Sequence, residues 1–298
     1  MKCIKIVLTL MLSLLMLISA GCGKPPVQAP AKEKAMRIVS LNLDSDEILL
    51  DLVPPDRIAA LSTMADSPSD YAADKAKAVP VHMTDNSAEE IIRLHPDLVI
   101  SADWLDSDLR NTLTDMGIRV YSYHFASTLD EVPSVIRGIA AATGDEKSGE
   151  KMVSKYTSDL SRLKTEIAKD QPEPSVFLWA YSQPYGSGDS IFGDMCRFIG
   201  VKNVLDKFDA REAGVLDKEF LISVNPDCIL VSDIALTPSH VQDLKNVFLS
   251  DPSLSTLKAV RSGNIVPISP AAIYCPSQYA IKGIKELYQA VYGRPLEE

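Results

Sequence analysis

The sequence predicts an α/β fold with two Rossmann-like lobes, each built on a largely parallel sheet, joined by one long helix. A helical run begins at Glu89, reaches a Pro-Asp pair seven residues later and leads into an apolar strand, and the same unit recurs from Glu219. Such a repeat indicates two similar α/β lobes. Strand and helix patterns alternate in both halves, which is typical of parallel sheets covered by helices. A charged amphipathic segment separates the halves and favours a helical connector.

The first lobe is predicted to span residues 36–144. Its strands are short apolar runs, expected at 37–41, 57–61, 98–101 and 118–121. Its helices have apolar residues at helical spacing or an acidic start, and they are expected at 45–50, 89–95, 109–116 and 129–143. Gly117 and Gly144 follow the last two helices, as expected for glycine at a helix end.

The segment 145–171 is predicted to be a stiff connector helix. Charged residues alternate with apolar residues at helical spacing, which are Val153, Tyr156, Leu160, Leu163 and Ile167. Pro172 and Pro174 end the pattern. A helix of about twenty residues spans about 30 Å, so this segment has the length to bridge two lobes.

The second lobe is predicted to span residues 172–298. It begins with a strand at 175–179, and a helix at 191–199 is stopped by Gly200. The second copy of the repeat supplies a helix from Glu219 and a strand at 228–231. A glycine-turned strand region is expected at 260–268, and an amphipathic helix at 280–292 closes the lobe.

The N-terminus predicts export. A short basic start precedes an apolar run at 6–18 that is too short for a comfortable membrane span, so residues 1–21 are expected to be a signal peptide. Small residues directly before Cys22 resemble a bacterial lipoprotein cleavage site, which would make Cys22 the lipid-bearing residue; an ordinary secretory signal cut nearby is the alternative. Residues 22–35 are expected to be a flexible tether. We therefore expect lipid anchoring on the outer face of the cytoplasmic membrane, on the periplasmic side if the host has an outer membrane.

Composition narrows the class of protein. The 298 residues are 46% hydrophobic, enough for a substantial core, and the formal net charge of −10 argues against nucleic acid as a partner. After Cys3 and Cys22, three cysteines remain, at 196, 228 and 275. They show no metal-ligand spacing, and one disulfide among them is possible but cannot be assigned.

Several segments together resemble the substrate-binding lipoproteins of ABC importers for iron-siderophores, haem and cobalamin. The resemblance is carried by residues 37–41 with 46–49, 57–61, 89–99, 117–120 and 282–284. It implies a periplasmic binding protein of the helical-backbone type, a monomer that holds its ligand in the cleft between two lobes. The implied partners are a permease dimer and its ATPase, with the membrane contacted only through the lipid anchor.

Glu89 and Glu219 match the positions of permease-docking carboxylates in that family. The resemblance implies that each pairs with arginines of one permease subunit. The alternative is that each Glu only sits in the first turn of its helix, where the helix dipole favours a carboxylate.

The ligand residues are expected in loops at the carboxyl ends of the strands. Trp104 and Tyr185 are the strongest candidates because each follows a strand and has a flat ring for a large planar ligand; packing under a loop is the alternative. Arg211 would pair with anionic ligand oxygens or be a solvated charge. Tyr274 would contact the ligand or its metal, or be an interfacial aromatic. The other candidates are Asn42, Asp66, His124 and Tyr181.

The predicted function is capture of an intact metal chelate: cobalamin, a ferric siderophore or haem. Few arginines and several aromatics favour cobalamin slightly, and no cofactor is expected. One alternative is a binding protein for a free Zn or Mn ion, with His82 and His124 as ligands. An exported enzyme is a weaker alternative, since Ser187 lacks a nucleophile elbow and the histidines lack a metalloprotease spacing. A purely structural lipoprotein would bind no ligand.

Overall fold

The computed structural model describes residues 34–65, 71–167, 172–180, 183–207, 218–233, 236–274 and 276–296. The predictions for the signal peptide, Cys22 and most of the tether therefore lie outside the described residues, as do those for Asp66, Tyr181 and Arg211. In the ranges that are described, no helix has the length and apolar character needed to cross a bilayer. Ala35, placed in the predicted tether, is fully buried, and its N–H donates to Thr143 O at 3.2 Å.

The first lobe has a four-stranded parallel sheet with the strand order β2-β1-β3-β4. The strands are β1 (Ile38–Ser40), β2 (Ile58–Ala60), β3 (Leu98–Ala102) and β4 (Arg119–Tyr123). The helices are α1 (Leu43–Leu52), α2 (Ala73–Ala76), α3 (Ala88–Arg93), α4 (Ser107–Asp115) and α5 (Val132–Thr143). All residues of β1 and β3 are buried, because helices cover both faces of a parallel sheet.

The second lobe repeats this sheet. Its parallel strands are β5 (Ser175–Ala180), β7 (Lys202–Asn203), β8 (Cys228–Ser232) and β9 (Ile265–Pro267), paired in the order β7-β5-β8-β9. A two-residue strand, β6 (Gln183–Pro184), pairs antiparallel with the end of β5. The helices after the connector are α7 (Ile191–Ile199), α8 (Lys218–Val224), α9 (Pro238–Leu249), α10 (Lys258–Ser262), α11 (Pro270–Tyr274) and α12 (Ala280–Tyr292). The strand order of the first lobe therefore recurs, as the sequence repeat predicted.

The strand region predicted at 260–268 is wrong in its first half. Residues 258–262 form the short helix α10 and not a strand, and only β9 is extended. Two local features stabilise the helix: Lys258 N donates to Asn225 Oδ1 at 2.9 Å, and Gly263 ends the helix with a φ of +70°. Glycine adopts the left-handed conformation readily, and here it closes the last turn of the helix.

The Pro-Asp turn has the same structure in both copies. The residue before the proline is left-handed in each, with φ values of +48° at His95 and +43° at Asn225. The N–H of Asp97 donates to Arg37 O, and that of Asp227 donates to Ser175 O, both at 3.0 Å. Each Pro-Asp turn therefore joins the start of one strand to the start of its neighbour, which is a structural reason for the repeat.

The connector is α6, residues Glu146–Glu166, which is 21 residues long and so spans about 30 Å. Its apolar stripe packs on α5, and the Tyr156 hydroxyl donates to Leu129 O at 2.9 Å. At Gly149 the two helices come so close that a Cβ would lie 2.4 Å from the Cβ of Ala140. The helix start is anchored by a buried ion pair in which Arg57 Nη1 lies 2.8 Å from Asp145 Oδ2.

A second set of contacts ties the end of the chain to the first lobe; we call it the latch. Gln278 Nε2 donates to Glu47 O at 2.7 Å. The other latch pairs are Ser277–Glu47, Tyr71–Glu286 at 2.6 Å and Lys75–Tyr279 at 2.8 Å. Because α6 and the latch both join the two lobes, we expect lobe movement to be modest.

Cys196 and Cys228 are buried free thiols. Burial raises the pKa of Cys228 to about 12 and raises that of Cys196 as well. Both are therefore small core residues in their protonated form.

Candidate functional site

Four side chains meet at the carboxyl edge of the first sheet, and the register of two strands places them. Ala102 of β3 pairs with Tyr123 of β4. The residues that follow these two strands are paired in the same order. Asp103 Oδ2 lies 2.7 Å from His124 Nδ1, and the rings of Trp104 and Phe125 lie 4.7 Å apart at 55°. We call Trp104 and Phe125 the aromatic platform. The structure thus brings together the predicted ligand residues Trp104 and His124.

Trp104 is 59% exposed, although it is one of the largest apolar side chains in the protein. Phe125 packs against the hydrophobic core, and its tilted ring contacts that of Trp104. An exposed aromatic ring that is held in place by a core residue is suited to contact with a flat ligand.

The imidazole beside the platform has a defined electrostatic environment. The hydrogen bond and the negative charge of Asp103 raise the pKa of His124 above its ordinary value. An ionised carboxylate only accepts hydrogen bonds, so Nδ1 carries the proton in this pair. The side chain is 75% exposed, and Nε2 has no hydrogen-bond partner among the described residues.

Asn42, another predicted ligand residue, helps to build this edge. Its Oδ1 accepts from Ala102 N at 2.8 Å and from Ser101 Oγ at 3.1 Å, so it ties the end of β1 to the end of β3. A ligand contact by Asn42 stays a prediction.

Buried carboxylates lie beneath the edge. Asp44 lies inside α1 and accepts from the Tyr123 hydroxyl at 2.7 Å. Asp46 accepts from Ser62 N at 3.1 Å. Burial raises the pKa of Asp44 to about 6 and that of Asp46 to about 8. The acidic start predicted for the helix at 45–50 is present, and both acids are buried and hold α1 against the sheet.

In the second lobe the structure pairs Tyr185 with Tyr274. Tyr185 follows β6, and Tyr274 ends α11, the helix after β9. Their rings lie 4.4 Å apart at 56°, and both side chains are half-buried. Burial raises the pKa of Tyr185, so its hydroxyl stays protonated at neutral pH. Two predicted ligand residues from distant segments therefore form one aromatic pair at the carboxyl edge of the second sheet.

Glu89 and Glu219 are both exposed and lie in the first turns of α3 and α8. Each helix ends in the turn that starts β3 or β8, so its first turn points toward the edge where the strands end. The side chain of Ser87 caps α3 by accepting from Glu90 N at 3.2 Å, and the buried Glu90 accepts from Thr84 N at 2.9 Å. Neither Glu89 nor Glu219 makes a hydrogen bond or ion pair with any described residue.

The residues proposed for a free metal ion are not brought together. His82 Nε2 lies 3.2 Å from Ala76 O, whereas His124 pairs with Asp103. Over the described part of the chain, no group of three or more His, Cys, Asp or Glu side chains is arranged to hold a metal ion.

Comparison with known proteins agrees with this architecture. Residues 38–272 match the model of the periplasmic binding protein family. The chain belongs to this family.

Its relatives include the uncharacterized ABC transporter substrate-binding lipoprotein YvrC of Bacillus subtilis, 27% identical over 94% of both chains. The vitamin B12-binding protein of Vibrio campbellii is 27% identical over 77% of this chain and 88% of its own. Among solved structures, the periplasmic heme-binding protein RhuT of Roseiflexus sp. RS-1 is 22% identical and superposes with a TM-score of 0.72, covering 87% of this chain and 98% of that one. The two-lobed α/β fold predicted from the sequence is confirmed.

In this periplasmic binding protein, sequence patterns selected Trp104, His124, Tyr185 and Tyr274 as candidate ligand residues but did not predict their pairings. Asp103 and Phe125 were predicted only as parts of the cleft loops at 103–104 and 124–125, and the β3–β4 register pairs them with His124 and Trp104. A pattern within one strand carries no information about its neighbour, so only the sheet order reveals these pairs.

Proposed function

We propose that the protein is the extracytoplasmic substrate-binding component of an ABC importer. It captures an intact metal chelate between its two lobes and delivers it to the permease. Membership of the periplasmic binding protein family supports this proposal, as do relatives named as a substrate-binding lipoprotein and as a vitamin B12-binding protein.

The observation that carries the proposal is the aromatic pair at the carboxyl edge of each sheet. Trp104–Phe125 in the first lobe and Tyr185–Tyr274 in the second provide flat apolar surfaces. Ligands of α/β folds bind at this edge, and aromatic walls suit a bulky macrocycle or chelate. The metal is cargo within the ligand, and the protein performs no chemistry on it.

Glu89 and Glu219 are proposed to dock the loaded protein on the permease dimer. Each carboxylate is exposed, and each occupies the same position on its lobe. Exposed ion pairs contribute little affinity individually, so their value lies in orienting the protein on a symmetric partner. We also propose that the protein is a monomer, attached to the membrane only through a lipid on Cys22.

Titration calorimetry of the full-length protein in detergent tests the proposal. The ligands are cobalamin, ferric haem and a ferric hydroxamate siderophore, with Zn and Mn ions as controls. We expect one-to-one binding to at least one chelate with a Kd of about 1 μM or tighter, equivalent to about −8 kcal/mol. Binding to a free ion without binding to any chelate would contradict it.

A further inference from the structure

We propose that His124 is an axial metal ligand, positioned by Asp103, and that the chelate is a tetrapyrrole with an exchangeable axial position. This inference rests on the proposed function and names the ligand class within it. It assigns separate roles to the two halves of the cluster: the imidazole binds the metal, and the aromatic platform binds the macrocycle.

The imidazole has the geometry of a metal ligand. Metal-binding histidines commonly donate their other ring N–H to a carboxylate, which fixes the tautomer and the ring orientation. The 2.7 Å contact between Nδ1 and Asp103 Oδ2 does this for His124, so the neutral imidazole carries its proton on Nδ1 and its lone pair on Nε2. The side chain is 75% exposed, so a ligand can reach Nε2 without moving the scaffold.

The position of the imidazole is as important as its hydrogen bond. Asp103 and His124 directly follow β3 and β4, so the sheet register holds both residues. Trp104 and Phe125 are the next residues along the same two segments, and their rings touch. A metal donor and an exposed aromatic surface are therefore adjacent on one rigid edge.

This combination selects the class of chelate. A hexadentate siderophore occupies all six coordination positions of Fe(III), so no position is left for a protein imidazole. A tetrapyrrole takes four positions in one plane and leaves the axial positions for other ligands, and imidazole is a common axial ligand of haem iron. The planar macrocycle also matches a flat indole surface. The geometry therefore favours haem or a corrinoid over a siderophore.

The second lobe offers a matched control. His240 also pairs with an aspartate, but through Nε2, which lies 3.1 Å from Asp233 Oδ2. In His240 the nitrogen that contacts the aspartate is therefore Nε2, whereas in His124 it is Nδ1.

The test uses the full-length protein in detergent, with ferric haem and metal-free protoporphyrin as probes. We expect His124→Ala to weaken ferric haem binding about 10–100-fold and to remove the histidine ligation signature from the absorption and paramagnetic resonance spectra. Asp103→Asn should weaken it about 10-fold, because the charged acceptor of the Nδ1–H hydrogen bond becomes a neutral amide. Affinity for the metal-free porphyrin should stay unchanged in both variants and should fall in Trp104→Ala. His240→Ala should behave as wild type.

Two results would overturn the inference: unchanged ferric haem affinity and spectra in His124→Ala, or loss of the ligation signature in His240→Ala instead. Wild-type binding to a hydroxamate siderophore but to no tetrapyrrole would also overturn it while upholding the proposed function. Binding to no chelate at all would contradict the proposed function itself.

Discussion

The two copies of the helix–Pro-Asp–strand unit share their turns but differ around the glutamate. In the first lobe, Glu89 neighbours a buried network centred on Glu90. In the second lobe, Glu219 borders a cavity of 410 Å³ with apolar walls that include Phe177 and Phe248. The turn recurs because it joins two strands, whereas the glutamate recurs in different surroundings and without a hydrogen bond or ion pair to the described residues. The fold thus gives the Pro-Asp pair a role in joining strands, whereas the helix dipole is the one reason within the fold for the matched carboxylates. Docking on an external partner stays a proposal for them.

The largest expected effect comes from reversing both carboxylates. In the Glu89→Arg, Glu219→Arg double variant, we expect chelate uptake by cells to fall about 100-fold or more, because like charges facing each other at an interface cost several kcal/mol. Chelate affinity, measured by calorimetry, should stay unchanged because neither residue touches the aromatic pairs.

Glu146 supplies the matched control for this experiment. It is an exposed first-turn glutamate of α6, so Glu146→Arg has a similar helix-dipole cost without a docking role. Uptake that is unimpaired in the double variant, or equally impaired in the control, would return Glu89 and Glu219 to a role in their own helices.

A smaller effect separates the two Pro-Asp turns. Asp227 accepts from Ser175 N at 2.9 Å and from Ser175 Oγ at 2.7 Å, and it pairs with Lys258. Asp97 accepts from Met36 N at 2.7 Å. We expect Asp227→Ala to lower the free energy of unfolding by about 2 kcal/mol and Asp97→Ala by about 1 kcal/mol, because more hydrogen bonds are lost in the second lobe.

Urea unfolding measures both losses. Ser175→Ala is the control, since it removes one donor to Asp227 and should have an intermediate effect. A larger loss of unfolding free energy in Asp97→Ala would contradict the prediction that the turn with more hydrogen bonds contributes more stability.

A further comparison is a pH dependence that distinguishes the buried carboxylates Asp44 and Asp46 from the turn carboxylate Asp227. The pKa of Asp46 is about 8 in the folded protein and 3.8 ordinarily. Between these values the folded state holds a proton that the unfolded state releases, so the contribution of Asp46 to stability falls as pH rises. Asp46→Asn should therefore flatten the dependence of unfolding free energy on pH from about 4 to 8. Asp44→Asn, with a folded pKa of about 6, should flatten it only up to that value.

Asp227 should show the opposite slope. Its hydrogen bonds from Ser175, and then its pairing with Lys258, hold its pKa below the ordinary value, so its contribution is present above that value and is lost as the pH falls. Unfolding curves in urea between pH 3 and 8 measure all three variants. A rise of stability with pH that disappears in Asp46→Asn would contradict the assignment.

Sequence patterns predicted the elements whose signals are local. The helix Ile191–Ile199 and its Gly200 end were predicted in full, because apolar spacing and a left-handed glycine are properties of the segment itself. The helix at 258–262 was missed because its first turn is held by Asn225, a residue 33 positions away. The burial of Asp44 and Asp46 was missed for a similar reason, since Tyr123 and Ser62 come from other segments.

Both lobes are proposed to contribute an aromatic pair to one chelate site. The most direct measurement is the affinity of Trp104→Ala and Tyr185→Ala for the chelate that the wild-type protein binds. Met116→Ala is the control, because Met116 is 61% exposed but precedes the start of β4, at the opposite edge. We expect both aromatic variants to lose affinity about 10-fold or more and the control to lose none, since each lost ring contact is worth about 1 kcal/mol or more. Wild-type affinity in either aromatic variant would contradict a site shared by the two lobes.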